Sequence, residues 1–180
     1  MNFWSLVISL SACFGALALG SLFTVPSIPI WYASLRKPAW TPPSWLFGPV
    51  WGLLYAMMAF AVWLVWLRAG ITGARVAVLV FAIQLILNVA WSWLFFARRN
   101  PGAALVDITL LCLSVGLTTL LFARVEPLAA YLLLPYLMWI LFAALLNARI
   151  WQLNRATCVD RDASASSLPK AADYRGKRGA

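Results

Sequence analysis

Histidine is absent from this chain, acidic residues number only five, and the three cysteines stand far apart. Without an imidazole there is no His-based catalytic triad, and zinc loses its commonest nitrogen ligand. Cys13, Cys112 and Cys158 show neither metal-ligand spacing nor a disulfide framework, so no metal site is expected. Charge of both signs is scarce: 11% of residues are charged and 64% are hydrophobic, where a soluble domain would be about a quarter charged. A chain of 180 residues has too much surface to hide that excess in a globule. Lipid is therefore the expected solvent for much of it.

What is present instead is five apolar runs, near Phe3–Phe23, Leu46–Leu67, Val76–Ala97, Ala103–Ala123 and Leu128–Trp151. Each approaches or exceeds the roughly 20 residues that cross a bilayer at 1.5 Å rise. Hydrocarbon offers the backbone no partner, so spanning segments are helices or closed-barrel strands. Barrel strands alternate polar and apolar residues; these runs are unbroken, and helices are expected. The first run lacks the basic flank of a signal peptide, and a second span follows closely, so it reads as a retained helix. The expected fold is an all-α integral membrane protein, a five-helix transmembrane domain over 1–154. A polar basic tail over 155–180 lacks the apolar residues to offset its chain entropy and is expected to be disordered.

The net charge of +9 does not point to nucleic acid. With the N-terminus outside, the inner loops and tail carry Arg36, Lys37, Arg98, Arg99, Arg149, Arg155, Arg161, Lys170, Arg175, Lys177 and Arg178, and the outer side only Arg68, Arg75 and Arg124. That bias predicts N-out, C-in topology, with basic residues near anionic lipid headgroups.

Short connections after the second, third and fourth helices predict antiparallel neighbours. One long connection is expected, from about Thr24 to Trp45. Its stretch "KPAWTPPSWLFGPVWGLLY" holds three tryptophans and four prolines. The prolines stiffen the loop, Ser44 is a candidate N-cap for the second helix, and Trp40 and Trp45 suit the membrane interface.

Polar groups within apolar helices should face protein or a cavity. In the third helix, steps of four, three and four place Gln84, Asn88, Trp91 and Phe95 on one face, which suits either interhelical hydrogen bonding or ligand contact. Trp139, Ala143 and Asn147 repeat the pattern in the fifth helix, where Ala143 offers close packing or room for a ligand. Trp51, Tyr55 and Met58 give the second helix an aromatic face. Asp107, the one acid within a spanning run, fits the positive end of the fourth helix with Arg98 or Arg99 as partner. A cavity lined by these faces suits a flat, apolar, aromatic-loving ligand.

The segment "WYASLRKPAWTPPSWLFGPVWGLLYAMM" resembles the first loop and second helix of the tryptophan-rich sensory protein/translocator protein family, which includes the peripheral benzodiazepine receptor. "QLILNVAWSWLFF", "ALVDITLL" and "PYLMWILFAALLNARIWQLN" resemble its third, fourth and fifth helices, in order, as far as Asn154. The resemblance implies a five-helix bundle, often a homodimer, in a bacterial cell (inner) membrane, binding porphyrins such as protoporphyrin IX as ligand and needing no cofactor. By matching motif, Trp51, Asn88 and Trp139 would line the pocket, Ala143 its wall, and Trp31 and Tyr32 the covering loop. Trp51 and Trp139 also match the indoles linked with light-dependent porphyrin breakdown. The family's vertebrate cholesterol motif is broken here, because Ala148 stands where its tyrosine would be. Three functions follow as expectations: a porphyrin-binding receptor, sensor or transport regulator; a photo-oxidative porphyrin-degrading activity; or a small apolar-ligand transporter. No inverted repeat or broken helix favours coupled transport.

Overall fold

A computed structural model describes residues 2–166, and all of its long elements are helices. They are α1 (Asn2–Ser27), α2 (Phe47–Gly73), α3 (Arg75–Ser92), α4 (Pro101–Val125) and α5 (Pro127–Ser166). All five carry stretches long and apolar enough to cross a membrane. Their outward residues confirm the solvent: Leu53, Ile86, Leu113, Tyr131 and Met138 are each more than 60% exposed. Such surfaces suit hydrocarbon, where they meet lipid tails rather than water.

The helices form a closed ring. Around it the order is α1, α2, α5, α4, α3, each packed against the next, with α3 returning to α1. The antiparallel pairs α3–α4 and α4–α5 follow their short connections as expected. The α2–α3 pair does not: α2 touches α3 little and packs chiefly on α1 and α5. The chain changes direction at Gly70, whose φ of 66° and ψ of 172° lie outside the helical region. Residues with a Cβ rarely adopt that φ, so glycine is what permits the turn.

Three boundaries differ from the sequence expectation. The chain stays helical past Thr24, first to Ser27 and then through a π-helical turn at Ile28–Tyr32. Pro26 and Pro29 lack the N–H for regular bonding, and the wider turn carries the helix past them. Trp31 and Tyr32 therefore stand on a helix end rather than in the covering loop, which is shorter than expected. Second, Ser44 does not cap α2; it begins a 3-10 turn, Ser44–Leu46, whose N-cap position is held by Pro43. The extended geometry of Pro43 (φ −62°, ψ 143°) starts the turn without a side-chain bond. Third, α5 continues to Ser166, beyond the end of its apolar run; adding residues to an established helix is cheap compared with nucleating one. Residues 167–180 of the polar tail lie outside the described residues.

At the start of α4 the expected cap is present: the Asn100 side chain accepts from the Ala103 amide at 3.0 Å, with Pro101 next in the chain. Asp107 is buried, but its Oδ2 has no partner among the described residues, and no ion pair joins it to Arg98 or Arg99. It lies beyond the first turn of α4, past the amides that favour an anion.

Candidate functional site

Inside the ring, at the end that carries the α1–α2 loop, lies a cavity of about 420 Å³. That is within the range of small-molecule sites, roughly 300–1,000 Å³. Trp51 and Tyr55 come from α2, Asn88 and Trp91 from α3, and Trp139, Ala143 and Leu146 from α5. The α1 wall is Leu17, Gly20, Ser21 and Thr24. No charged side chain lines the cavity among the described residues.

The floor is a hydrogen-bonded chain across the ring. Tyr55 Oη donates to Asn88 Oδ1 at 2.8 Å, and Asn88 Nδ2 donates to Tyr136 Oη at 2.9 Å. Tyr136 Oη in turn donates to Gln84 Oε1 at 2.8 Å, and Gln84 Nε2 reaches Met58 Sδ at 3.8 Å. All five side chains are buried. Polar groups in so apolar a setting must be paired, and this chain pairs them while tying α2, α3 and α5 together.

Aromatic rings close the loop-side wall. Trp91 stacks on Phe95 at 5.3 Å, and Phe95 meets Phe96 edge-on at 4.9 Å. Tyr32 lies 6.4 Å from Phe95 and 6.0 Å from Phe96, and Phe47 joins Tyr32 to Trp139. A second π-helical turn, Trp93–Ala97, places Phe95 and Phe96 here, and Ser27 Oγ donates to the Phe96 carbonyl at 3.2 Å. The α1 and α3 helices thus meet through two π turns. Such turns recur at functional sites because they re-aim side chains.

Above this wall the loop is fastened at several points. Lys37 Nζ donates to the carbonyls of Tyr32, Ala33 and Leu35 at 2.7, 3.2 and 3.2 Å, closing the end of α1's helical extension. The Asn154 side chain of α5 clasps the Arg36 backbone in both senses, accepting from its amide at 3.1 Å and donating to its carbonyl at 3.0 Å. Trp40 packs edge-on against Phe142 of α5 at 5.6 Å.

Of the residues expected from the sequence, Tyr32, Trp51, Tyr55, Asn88, Trp91, Phe95, Trp139, Ala143 and Asn147 come together around this one cavity. Gln84 and Trp31 stand off it. Gln84 lies one turn below Asn88, in the hydrogen-bonded floor, and Trp31 packs edge-on behind the wall against Phe95 at 5.3 Å. Asn147 also holds helices together. With its amide oriented to satisfy both atoms, it donates to the Pro101 carbonyl at 3.2 Å and accepts from the Leu105 amide at 3.0 Å. It thereby ties α5 to the start of α4.

Sequence reasoning missed the α1 wall and Tyr136. Leu17, Gly20, Ser21 and Thr24 do follow a helical i, i+3, i+4, i+7 stripe. Gly20 also allows close approach, since a Cβ there would come within 3.2 Å of Ser92 Oγ. Tyr136 lies one turn before Trp139, so extending the α5 stripe backwards would have found it.

The model of the TspO/MBR family matches residues 7–152. The chain is 46% identical over 156 residues to the tryptophan-rich protein TspO of Chlorobaculum tepidum, covering 82% of this chain and 97% of that one. It is 45% identical over 154 residues to the protein of the same name from Archaeoglobus fulgidus, covering 86% and 99%. The translocator protein of Homo sapiens is 46% identical over 126 residues, covering 69% of this chain and 75% of the human one. With the family match running through all five helices of the ring, this chain is an integral membrane protein that belongs to the TspO/MBR family.

Proposed function

We propose that the protein is a membrane receptor or sensor that binds flat, apolar ligands of the porphyrin class within its helix ring. Family membership supports the receptor or sensor role. The observation that carries the ligand class is the uncharged cavity of about 420 Å³ walled by Trp51, Tyr55, Trp91 and Trp139. Four large rings drawn from three helices give a planar ligand offset-stacked and edge contacts, each worth about 0.5–1.5 kcal/mol beyond area burial. Membrane lipid surrounds the ring, and a second copy of the chain in a homodimer belongs to the same proposal. On the positive-inside reading, the loop and the cavity beneath it lie on the cytoplasmic side of a bacterial cell membrane.

The proposal is tested by titrating detergent-purified protein with protoporphyrin IX, read by tryptophan fluorescence. Saturable quenching is expected, and Trp139→Ala should weaken binding by about tenfold. Equal affinity in that variant would remove the stacking role.

A second reading has its own observation: Trp51 and Trp139, the two indoles matched to porphyrin breakdown, line the same cavity. Illumination of the porphyrin complex in air should then yield altered product spectra that are lost in the double variant Trp51→Phe, Trp139→Phe. Product formation that persists would exclude the indoles as the reacting groups.

A further inference from the structure

The polar atoms around the cavity are unevenly used. Ser21 and Thr24 donate to the carbonyls of Leu17 and Gly20 at 2.8 and 3.0 Å, and Ser92 donates to that of Asn88 at 3.3 Å. Tyr55 donates to Asn88 in the floor. These four hydroxyls have no proton left to offer, and the lining donors on Ser44, Trp51 and Trp139 are not buried without a partner. Three buried side-chain polar atoms among the described residues have no partner, and two of them, Tyr32 Oη and Trp91 Nε1, belong to residues of the cavity wall. Tyr32 is itself only 4% exposed. Both groups carry protons, and the indole N–H can only donate. No carboxylate lines the cavity to receive them among the described residues.

From this we infer that Tyr32 and Trp91 are specificity-determining residues. They select, among flat apolar ligands, those bearing a hydrogen-bond acceptor such as a carbonyl or carboxylate on the edge that faces the α1–α2 loop. The inference rests on the proposed porphyrin site and adds the chemistry of the ligand's rim. The two rings flank Phe95, at 6.4 and 5.3 Å, so they address one side of the cavity. Leaving a buried donor unpaired is unfavourable, and a ligand acceptor relieves that penalty where a purely alkyl rim does not. Both atoms are buried, so the Tyr32–Phe95–Trp91 wall must yield where the ligand's edge meets it. No carboxylate among the described lining residues favours a cationic rim.

The experiment compares protoporphyrin IX, whose rim bears two carboxylates, with octaethylporphyrin, the same macrocycle with an alkyl rim. Dissociation constants are measured for the full chain in detergent and for Tyr32→Phe and Trp91→Phe. The parent should favour protoporphyrin IX, and each variant should reduce that preference by about three- to tenfold. Octaethylporphyrin is the reference ligand for each ratio, and a parent-like helical circular dichroism spectrum and melting midpoint in detergent show that each variant is folded. Equal affinity of the parent for both porphyrins, or an unchanged ratio in both variants, overturns the acceptor selection while leaving the porphyrin site standing. Failure of both porphyrins to bind overturns the site and this inference together.

Discussion

The two halves of the ring are built from different materials. Away from the loop, small residues pack the interior: Ala59, Ala61, Val65, Ala74, Ala77 and Ala129 are all nearly or fully buried, with Phe81 stacked on Phe122 at 5.8 Å. Toward the loop the same helices carry tryptophan, tyrosine and phenylalanine, and there they stand apart around a cavity. Small side chains let helix backbones approach, whereas large rings facing one another hold them apart. One bundle thus has a clamped end and a hollow end, separated by the Tyr55–Asn88–Tyr136–Gln84 chain. Stability should reside mainly in the first and binding in the second.

The strongest challenge to that division is Phe122→Ala at the clamped end. Emptying a fully buried phenylalanine site should lower stability by about 3–5 kcal/mol, measured by denaturant titration in detergent. A loss below about 1 kcal/mol would mean that this half is not the stabilising one. Next comes the boundary. Asn88→Leu leaves Tyr55 and Tyr136 without their shared partner and should lower stability by about 1–3 kcal/mol while also weakening porphyrin binding. An effect on binding without one on stability would move Asn88 wholly into the site. At the hollow end, Trp139→Ala should lower stability by less than about 1 kcal/mol, because its ring already borders empty space, despite its expected loss of affinity. The smallest effect belongs to the loop. Asn154→Ala removes the clasp on Arg36 and should cost about 0.5–1 kcal/mol, with faster amide exchange near Arg36 as the readout. Unchanged exchange there would show that Lys37 and Trp40 hold the loop without it.

The helices were legible because hydrocarbon demands long unbroken apolar runs, and sequence records those directly. Their arrangement was less so. With both faces of each helix apolar, little marks which face meets lipid and which meets protein, and the low contact between α2 and α3 contradicts what a short connection suggests. Amides were the exception, since they are too costly to leave in lipid without reason, and the aromatic rings sharing their helical faces stood out beside them. Asn88, Trp91, Trp139 and Tyr55 were found that way. Periodicity gave the face but not the depth, which is why Gln84 was grouped with Asn88 although it sits a turn below the cavity. The motif match and a first apolar run ending near Phe23 place Trp31 and Tyr32 in the loop; here a π turn carries the helix past Pro26 and Pro29. The α1 wall was overlooked because glycine, serine and threonine at helical spacing look like ordinary filler in a spanning run.

The order of the ring has a consequence for how the protein comes into being. Four helices, in the sequence α2, α1, α3, α4, make only an open arc, and α5 is the stave that joins its two ends. Until that last helix is inserted there is no enclosed space, and the side of the future site is open to the bilayer. Trp139 and Ala143 arrive with it, as does Asn154, which fastens the loop. The cavity is therefore incomplete in any chain that stops before α5, the helix that both closes the ring and fastens the α1–α2 loop.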